Sequence, residues 1–481
     1  MILDRTFDYV IIVAFLIGVA IFGIFKGGKQ KTIEDYFLGS KSVPWWAVCF
    51  SIVAAETSTL TFISIPGLAY LTNLNFLQVT FGYLIGRILI AKFFLPSYFT
   101  GELNTAYAFL EKRFGKKTRS FSSIVFLFTR TAADGVRLFA TAIPLKLMLD
   151  IDYPTAIIII AIITLLYTIT GGVKGIIWVD VILMTIYLGG ALLAGYFLIF
   201  QYLPDGFSSL ISAAEVENKL NIFNFNFGDS LGEFFGQPYN FISSILGGTF
   251  LSMASHGTDQ LIVQRLLSIK DVKQAQKAII GSGIIVIVQF VIFLLVGIGL
   301  YAFYGSLDIR SDEIFPKFII EKLPSPFSGI IIAGLFAAAM STIAGSISSL
   351  SSSTMLDLYN PLKQNRNKDN DLKISRLFTV MWAILLIFAA IFFMNSPQTV
   401  VELALSIASF TYGGLLGTFM LGLFVKEAKQ EDALAGFTSG IFIMITVISL
   451  NLVAWTWFTL VGVLATLLIG TLLSLLGKTK I

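Results

Sequence analysis

Among 481 residues the sequence has one cysteine, Cys49, and one histidine, His256. A single thiol excludes a disulfide framework and a cysteine-based metal site, and a single imidazole does not make a metal centre. Charge is sparse as well. Asp, Glu, Lys and Arg together make up 13% of the chain, about half of what soluble domains carry. A phosphate-binding loop is also missing: "GKTKI" at 477–481 lacks the preceding glycine, the strand and the following helix that such a loop needs. That argues against an ATP-driven pump. The longest polar connections, about 203–235 and 305–325, are too short to hold a core of their own, so no soluble domain is expected.

What the chain has in excess is apolar surface, with 56% hydrophobic and 14% aromatic residues. By length alone it would make about three soluble domains, but this composition belongs to a membrane protein. Thirteen apolar runs recur, at roughly 8–26, 44–68, 75–98, 119–149, 153–172, 177–202, 236–262, 275–304, 326–356, 375–394, 399–424, 431–452 and 453–476. Each is long enough to cross a hydrocarbon core of about 30 Å as a helix. Barrel strands would be about half as long and would alternate, and unpaired backbone cannot face lipid. The expected fold is an all-α integral membrane bundle forming one transmembrane domain. The first run has no basic segment before it and no small-residue cleavage site after it, so it reads as a retained helix rather than a signal peptide.

The net charge of +4 raises the question of a nucleic-acid partner, and the placement of the basic residues removes it. With the N-terminus outside, 23 of the 33 lysines and arginines fall in loops on the cytoplasmic side and six on the other. This is the positive-inside bias, and it predicts a multi-pass plasma-membrane protein with its C-terminus in the cytoplasm. The lipid bilayer is the expected surrounding, with no nucleic acid and no obligatory protein partner.

Two runs carry small and polar residues with glycine or proline at mid-membrane depth: "SIVAAETSTLTFISIPG" (51–67) and "GGTFLSMASHGTDQ" (247–260). They lie five runs apart. Five plus five helices of opposite topology, each half opening on an interrupted helix, is the pattern of transporters that bind at the bilayer midplane. The repeats would be 44–202 and 236–424, with an extra N-terminal helix at 8–26 and two C-terminal helices at 431–476. Glycine and serine also serve plain helix packing, and the paired register is what favours a site. In "AAAMST" the carbonyl of Ala338 and the hydroxyls of Ser341 and Thr342 share one helix face at i, i+3 and i+4. Carbonyls around Ala54 and Thr57 in the first interrupted helix would face them. Five neutral oxygens of this kind suit a sodium ion.

Five ordered stretches make the chain similar to a known family: "WWAVCFSIVAAETSTLTFISIPGLAY" (45–70), "GRILIAKFFLP" (86–96), "YTITGGVKGIIWVDVIL" (167–183), "GTDQLIVQRLLSIKDVKQAQKA" (257–278) and "AAAMSTIAGSISSLSSSTMLDLY" (337–359). With them the chain resembles the sodium/solute symporters, which include bacterial sodium/galactose and sodium/sialic acid symporters and share the inverted-repeat LeuT-type fold. The resemblance places the sodium site on Ala54, Thr57, Ala338, Ser341 and Thr342. It implies that a second sodium site is absent, because the two hydroxyls that some members use fall on Ala344 and Gly345, although the accompanying aspartate is present as Asp180. One sodium per cycle is expected. The resemblance also places Glu56, Ser58, Thr61, Phe76, Thr80, Ser252, Ser255 and His256 around the solute, with Asp259 and Gln260 next to them. Departures from both named patterns are clear. Glu56, Thr80 and Val286 stand where the galactose pattern has an asparagine, an acid and a lysine, and Ala133 stands where the sialic acid pattern has an arginine.

An ionisable group deep in a span is costly and points to function, so Glu56 is the sharpest single residue. His256 divides evenly between function and structure. Arg130, Asp134 and Arg137, at spacings of four and three, put one carboxylate between two guanidiniums on a single helix face and leave one positive charge over. With Arg87, that surplus suits either an anionic solute or a compensating Glu56. No nucleophile, base and oxyanion donor converge, so an enzyme is not expected. The expected function is sodium-coupled symport of a small polar organic solute by alternating access. The alternatives are a proton-coupled or sodium-independent carrier using Glu56 and His256, or a transport-inactive sensor. Sugar, monocarboxylate, vitamin, amino acid and osmolyte all stay open.

Overall fold

The first helix, α1 (Thr6–Gly27), runs along the outside of a helical assembly whose core is a serine-rich helix. The structure is a computed structural model that describes residues 6–149, 151–362, 368–394 and 400–478, and among these residues it contains helices and loops but no strand. After α1 come α2 (Ile33–Leu38), α3 (Trp45–Glu56), α4 (Thr59–Leu71) and α5 (Phe76–Leu89). Next are α6 (Ala106–Phe114), α7 (Lys116–Leu149), α8 (Tyr153–Phe197), α9 (Phe241–Gly257) and α10 (Gln260–Leu267). The chain continues as α11 (Val272–Tyr304), α12 (Phe327–Ser353), α13 (Lys368–Phe393), α14 (Val400–Phe424), α15 (Gln430–Ser449) and α16 (Trp455–Lys478). Among the described residues, eight helical segments, the one containing α8 counted once across its break, are long and apolar enough to cross a membrane, and a ninth forms if α2 and α3, bent by 113°, are joined.

Local chemistry explains where the chain turns. Thr32 caps α2 in a reciprocal capping box with Asp35, and Gly39 at φ 56° closes it, so the polypeptide swings round before α3. The runs 153–172 and 177–202, taken together as α8, are two helical stretches that meet at a sharp break at Gly172. Gly172 has φ 55° and ψ −164°, and a side chain there would meet the Tyr36 carbonyl oxygen at 2.7 Å, so only glycine serves. The expected connections are also partly helical: Phe207–Val216 and Ser311–Lys322 form helices within the 203–235 and 305–325 segments.

Packing sorts the helices by depth. The most apolar window of the segment containing α12 is 94% buried, against 22–33% for those of α1, α13, α15 and α16. The serine-rich α12 is therefore the central post, and the peripheral helices turn leucine, isoleucine and phenylalanine toward lipid. The tightest seam joins α5 and α9. Gly82 and Gly86, spaced as in small-xxx-small pairs, bring the α5 backbone against α9, and a β-carbon on Gly248 would lie 2.3 Å from the Val79 carbonyl.

Candidate sodium and solute site

The helix formed by α3 fails at Thr57–Ser58. Both residues are extended, with ψ of 103° and 168°. Threonine and serine are poor helix continuers, being β-branched or able to bond their own backbone, and three of them follow Glu56 in a row. The helical ladder stops at Thr57 N–H to Val53 O (3.0 Å) and resumes at Phe62 N–H to Ser58 O (3.2 Å). The carbonyls of Ala54 and Thr57 fall in this gap. A second failure, at Thr258–Asp259, separates α9 from α10, and the Asp259 side chain accepts the Leu261 N–H at 2.9 Å.

Facing the first gap is α12. Ala54, Thr57, Ala338, Ser341 and Thr342 are all buried. The Thr59 hydroxyl donates to Leu335 O at 3.1 Å, tying the start of α4 to α12. A cavity bounded by Ser58, Thr59, Arg137, Thr141, Ala339, Thr342 and Ile343 adjoins this contact. On the other side of α3 the Ser51 hydroxyl, one turn before Ala54, donates to Asp180. The gap and the 338–342 face of α12 thus meet, with Asp180 of α8 beside them. Thr342 donates to Ala338 O at 3.2 Å, whereas the Ser341 hydroxyl turns to the Asp180 carboxylate, which Ser51 and Arg265 also hold.

The acidic and basic residues near the breaks are matched. Arg87 of α5 is fully buried and pairs with Glu56, donates to Ser282 at 2.7 Å and lies 3.1 Å from His256 Nε2. Arg130 sits 3.2 Å from Asp259 and 3.3 Å from Asp134, and Asp134 accepts from Arg137 at 2.7 Å and from Ser346. Arg265 meets Asp180 at 3.1 Å and Ser51 at 2.8 Å. The surplus charge expected from Arg130, Asp134 and Arg137 is therefore absent: Asp259, 129 residues after Arg130 and at the second break, takes Arg130. Of the two readings open for Arg87, the structure has the compensating Glu56.

Among the expected solute residues, Glu56, Ser255 and His256 form one cluster, with Ser255 Oγ 2.8 Å from His256 Nδ1 and His256 Nε2 3.4 Å from Glu56. Ser58 follows in the gap itself, and Thr61 stands half-buried on the first turn of α4. Phe76 stacks on Phe290 with ring centres 5.2 Å apart. Thr80 and Ser252 lie inside the α5–α9 seam. The Thr80 hydroxyl is spent on Leu77 O at 2.8 Å, and Ser252 packs toward Gly86. Gln260, beyond the second break, donates to Ser352 of α12 at 3.1 Å.

The family model for the sodium:solute symporter family matches residues 36–440. The chain belongs to that family. This symporter is 27% identical to the sodium/sialic acid symporter NanT of Aliivibrio fischeri over 99% of its own length and 94% of that protein's. It is 27% identical to human sodium-coupled monocarboxylate transporter 1 over 92% of its length and 73% of that protein's. Its structure superposes on a sodium-coupled sialic acid symporter, solved substrate-bound and outward-open, with a TM-score of 0.89 and 26% identity over 98% of both chains. Mhp1, a nucleobase-cation-symport-1 family transporter, shares the fold at a TM-score of 0.58 and 13% identity, over 94% of this chain and 96% of that one. The symporter is thus a multi-pass transporter of the LeuT-type fold rather than an enzyme, and sodium use comes with the family.

Three residues of this symporter's site escaped the reading of its sequence. Ser51 and Gln289 bond across to Asp180 and Thr57, the latter with Gln289 Nε2 2.9 Å from Thr57 Oγ1, and Arg265 closes on Asp180. Arg265 and Gln289 had a signal, being polar groups at depth in apolar sequence. Ser51, one hydroxyl in a helix full of small residues, had none.

Proposed function

We propose that the chain is a symporter in which one sodium ion, held by the carbonyls of Ala54, Thr57 and Ala338 and the hydroxyls of Ser341 and Thr342, drives import of a small polar organic solute. The observation that carries this reading is the gap in the helical ladder at Thr57–Ser58, set against the Ala338–Thr342 face of α12 across a shared cavity. A sodium ion there would link α3 and α4 to the central α12 and favour the outward-open form. It would raise solute affinity, and the solute would raise sodium affinity by the same factor. Ala344 and Gly345 offer no hydroxyl for a second ion, and Gly345 instead leaves room for the Arg265 guanidinium that answers Asp180, which supports a single sodium. The solute lies between the two breaks, near Glu56, Ser58, Thr61, Phe76 and His256, with Thr80, Ser252 and Ser255 on the adjoining α5–α9 side.

The thirteen spans, the repeats at 44–202 and 236–424, and the orientation with the N-terminus outside belong to the same proposal, supported by the two breaks and the loop charges. Sialic acid and monocarboxylates are named for the relatives. Here Ala133 replaces the arginine of the sialic acid pattern, and a different solute is proposed. Uptake of a candidate solute into proteoliposomes, with sodium replaced by choline at constant pH, tests the coupling. Uptake should vanish, and uptake that persists would favour a proton-coupled or uncoupled carrier.

A further inference from the structure

We infer that Glu56 determines specificity by accepting hydrogen bonds from a donor group, O–H or N–H, on a solute with no net charge; this rests on the transport reading above. Three observations converge. In the Glu56–Arg87–His256 cluster Glu56 is the least enclosed member: its side chain is 19% exposed, against 0% for Arg87 and 4% for His256. Both contacts to it fall on one oxygen, Oε2, and Oε1 has no hydrogen bond among the described residues. Its charge is compensated from behind by a fully buried guanidinium, itself fixed by Ser282.

An ionised carboxylate with one free oxygen is an acceptor only, so the matching solute group is a donor. A solute carboxylate would meet like charge at Glu56. A solute with net positive charge would meet Arg87, already paired, and a sodium ion at the neighbouring carbonyls. What fits is a polyol or a zwitterion, with its donor end at Glu56. Nearby, Phe76 stacks on Phe290, and the adjacent Gln289 holds Thr57, the residue after Glu56.

The experiment is thermal-shift binding on the purified full-length chain, with and without sodium. The probes are hexoses and inositols as polyols, α-amino acids as zwitterions with donors, trimethylglycine as a zwitterion without a donor, and short monocarboxylates. Sodium-dependent stabilisation should appear for a polyol or an amino acid and not for the last two classes. Glu56→Gln should weaken that binding at least tenfold when it is measured at saturating sodium. Because E56Q leaves Arg87 unpaired, the charge-balanced E56Q/R87Q variant is measured beside it and should show the same loss. Sodium-dependent binding confined to the monocarboxylates or trimethylglycine, or unchanged affinity in a folded variant, overturns the assignment and leaves the transport reading intact. No sodium-dependent binding of any probe overturns both.

Discussion

Ser341 and Thr342 are adjacent and both buried, yet the structure separates them. The Thr342 hydroxyl is used within its own helix, whereas the Ser341 hydroxyl turns to the Asp180 carboxylate. A hydroxyl that donates to a carboxylate keeps its lone pairs free, and a sodium ion would use them. Ser341→Ala is therefore expected to weaken sodium binding roughly 10- to 100-fold, on the scale of about 1.5–3 kcal/mol for a charge-assisted contact. Protein stability without sodium should fall by about 1–3 kcal/mol, because the alanine also removes the contact to the buried Asp180 carboxylate. The sodium concentration giving half of the maximal thermal shift, compared with wild type, checks this.

At the scale of elements, the α5–α9 seam holds the two halves of the solute region in register, and it does so through backbone contact at glycines. Gly248→Val would force a β-carbon into the Val79 carbonyl at 2.3 Å, where no flexible side chain is available to yield. The expected result is a destabilisation of about 1–3 kcal/mol, read as a lower melting temperature with or without sodium. Sodium affinity should fall less than in Ser341→Ala, since the gap at Thr57 lies on another pair of helices. The two breaks were readable in advance because hydroxyl and small residues cluster there against an apolar background. Their partners were not. Gln289 and Arg265 reach Thr57 and Asp180 across 232 and 85 residues of chain, and no local pattern carries such pairings.

For the whole molecule, composition and run length were sufficient for the all-helical membrane fold, because the hydrocarbon core admits few alternatives. They were insufficient for the internal charge balance. From spacing alone Arg130, Asp134 and Arg137 carry a surplus that the fold removes by delivering Asp259. Orientation is open to a direct test because the one native cysteine, Cys49, is buried. Cysteines introduced at exposed Ser306, after α11, and at exposed Lys273, near its start, should label with an impermeant maleimide from outside and only after permeabilisation, respectively. The reverse pattern would invert the molecule. The four carboxylates nearest the breaks, Glu56, Asp134, Asp180 and Asp259, each have an arginine of their own. A membrane voltage then finds no unbalanced charge in these four pairs and acts on the travelling cation, about 2.3 kcal/mol per 100 mV for each one carried. With the single sodium and the solute of zero net charge proposed above, each turnover would move one positive charge inward, and transport would register as an electrical current.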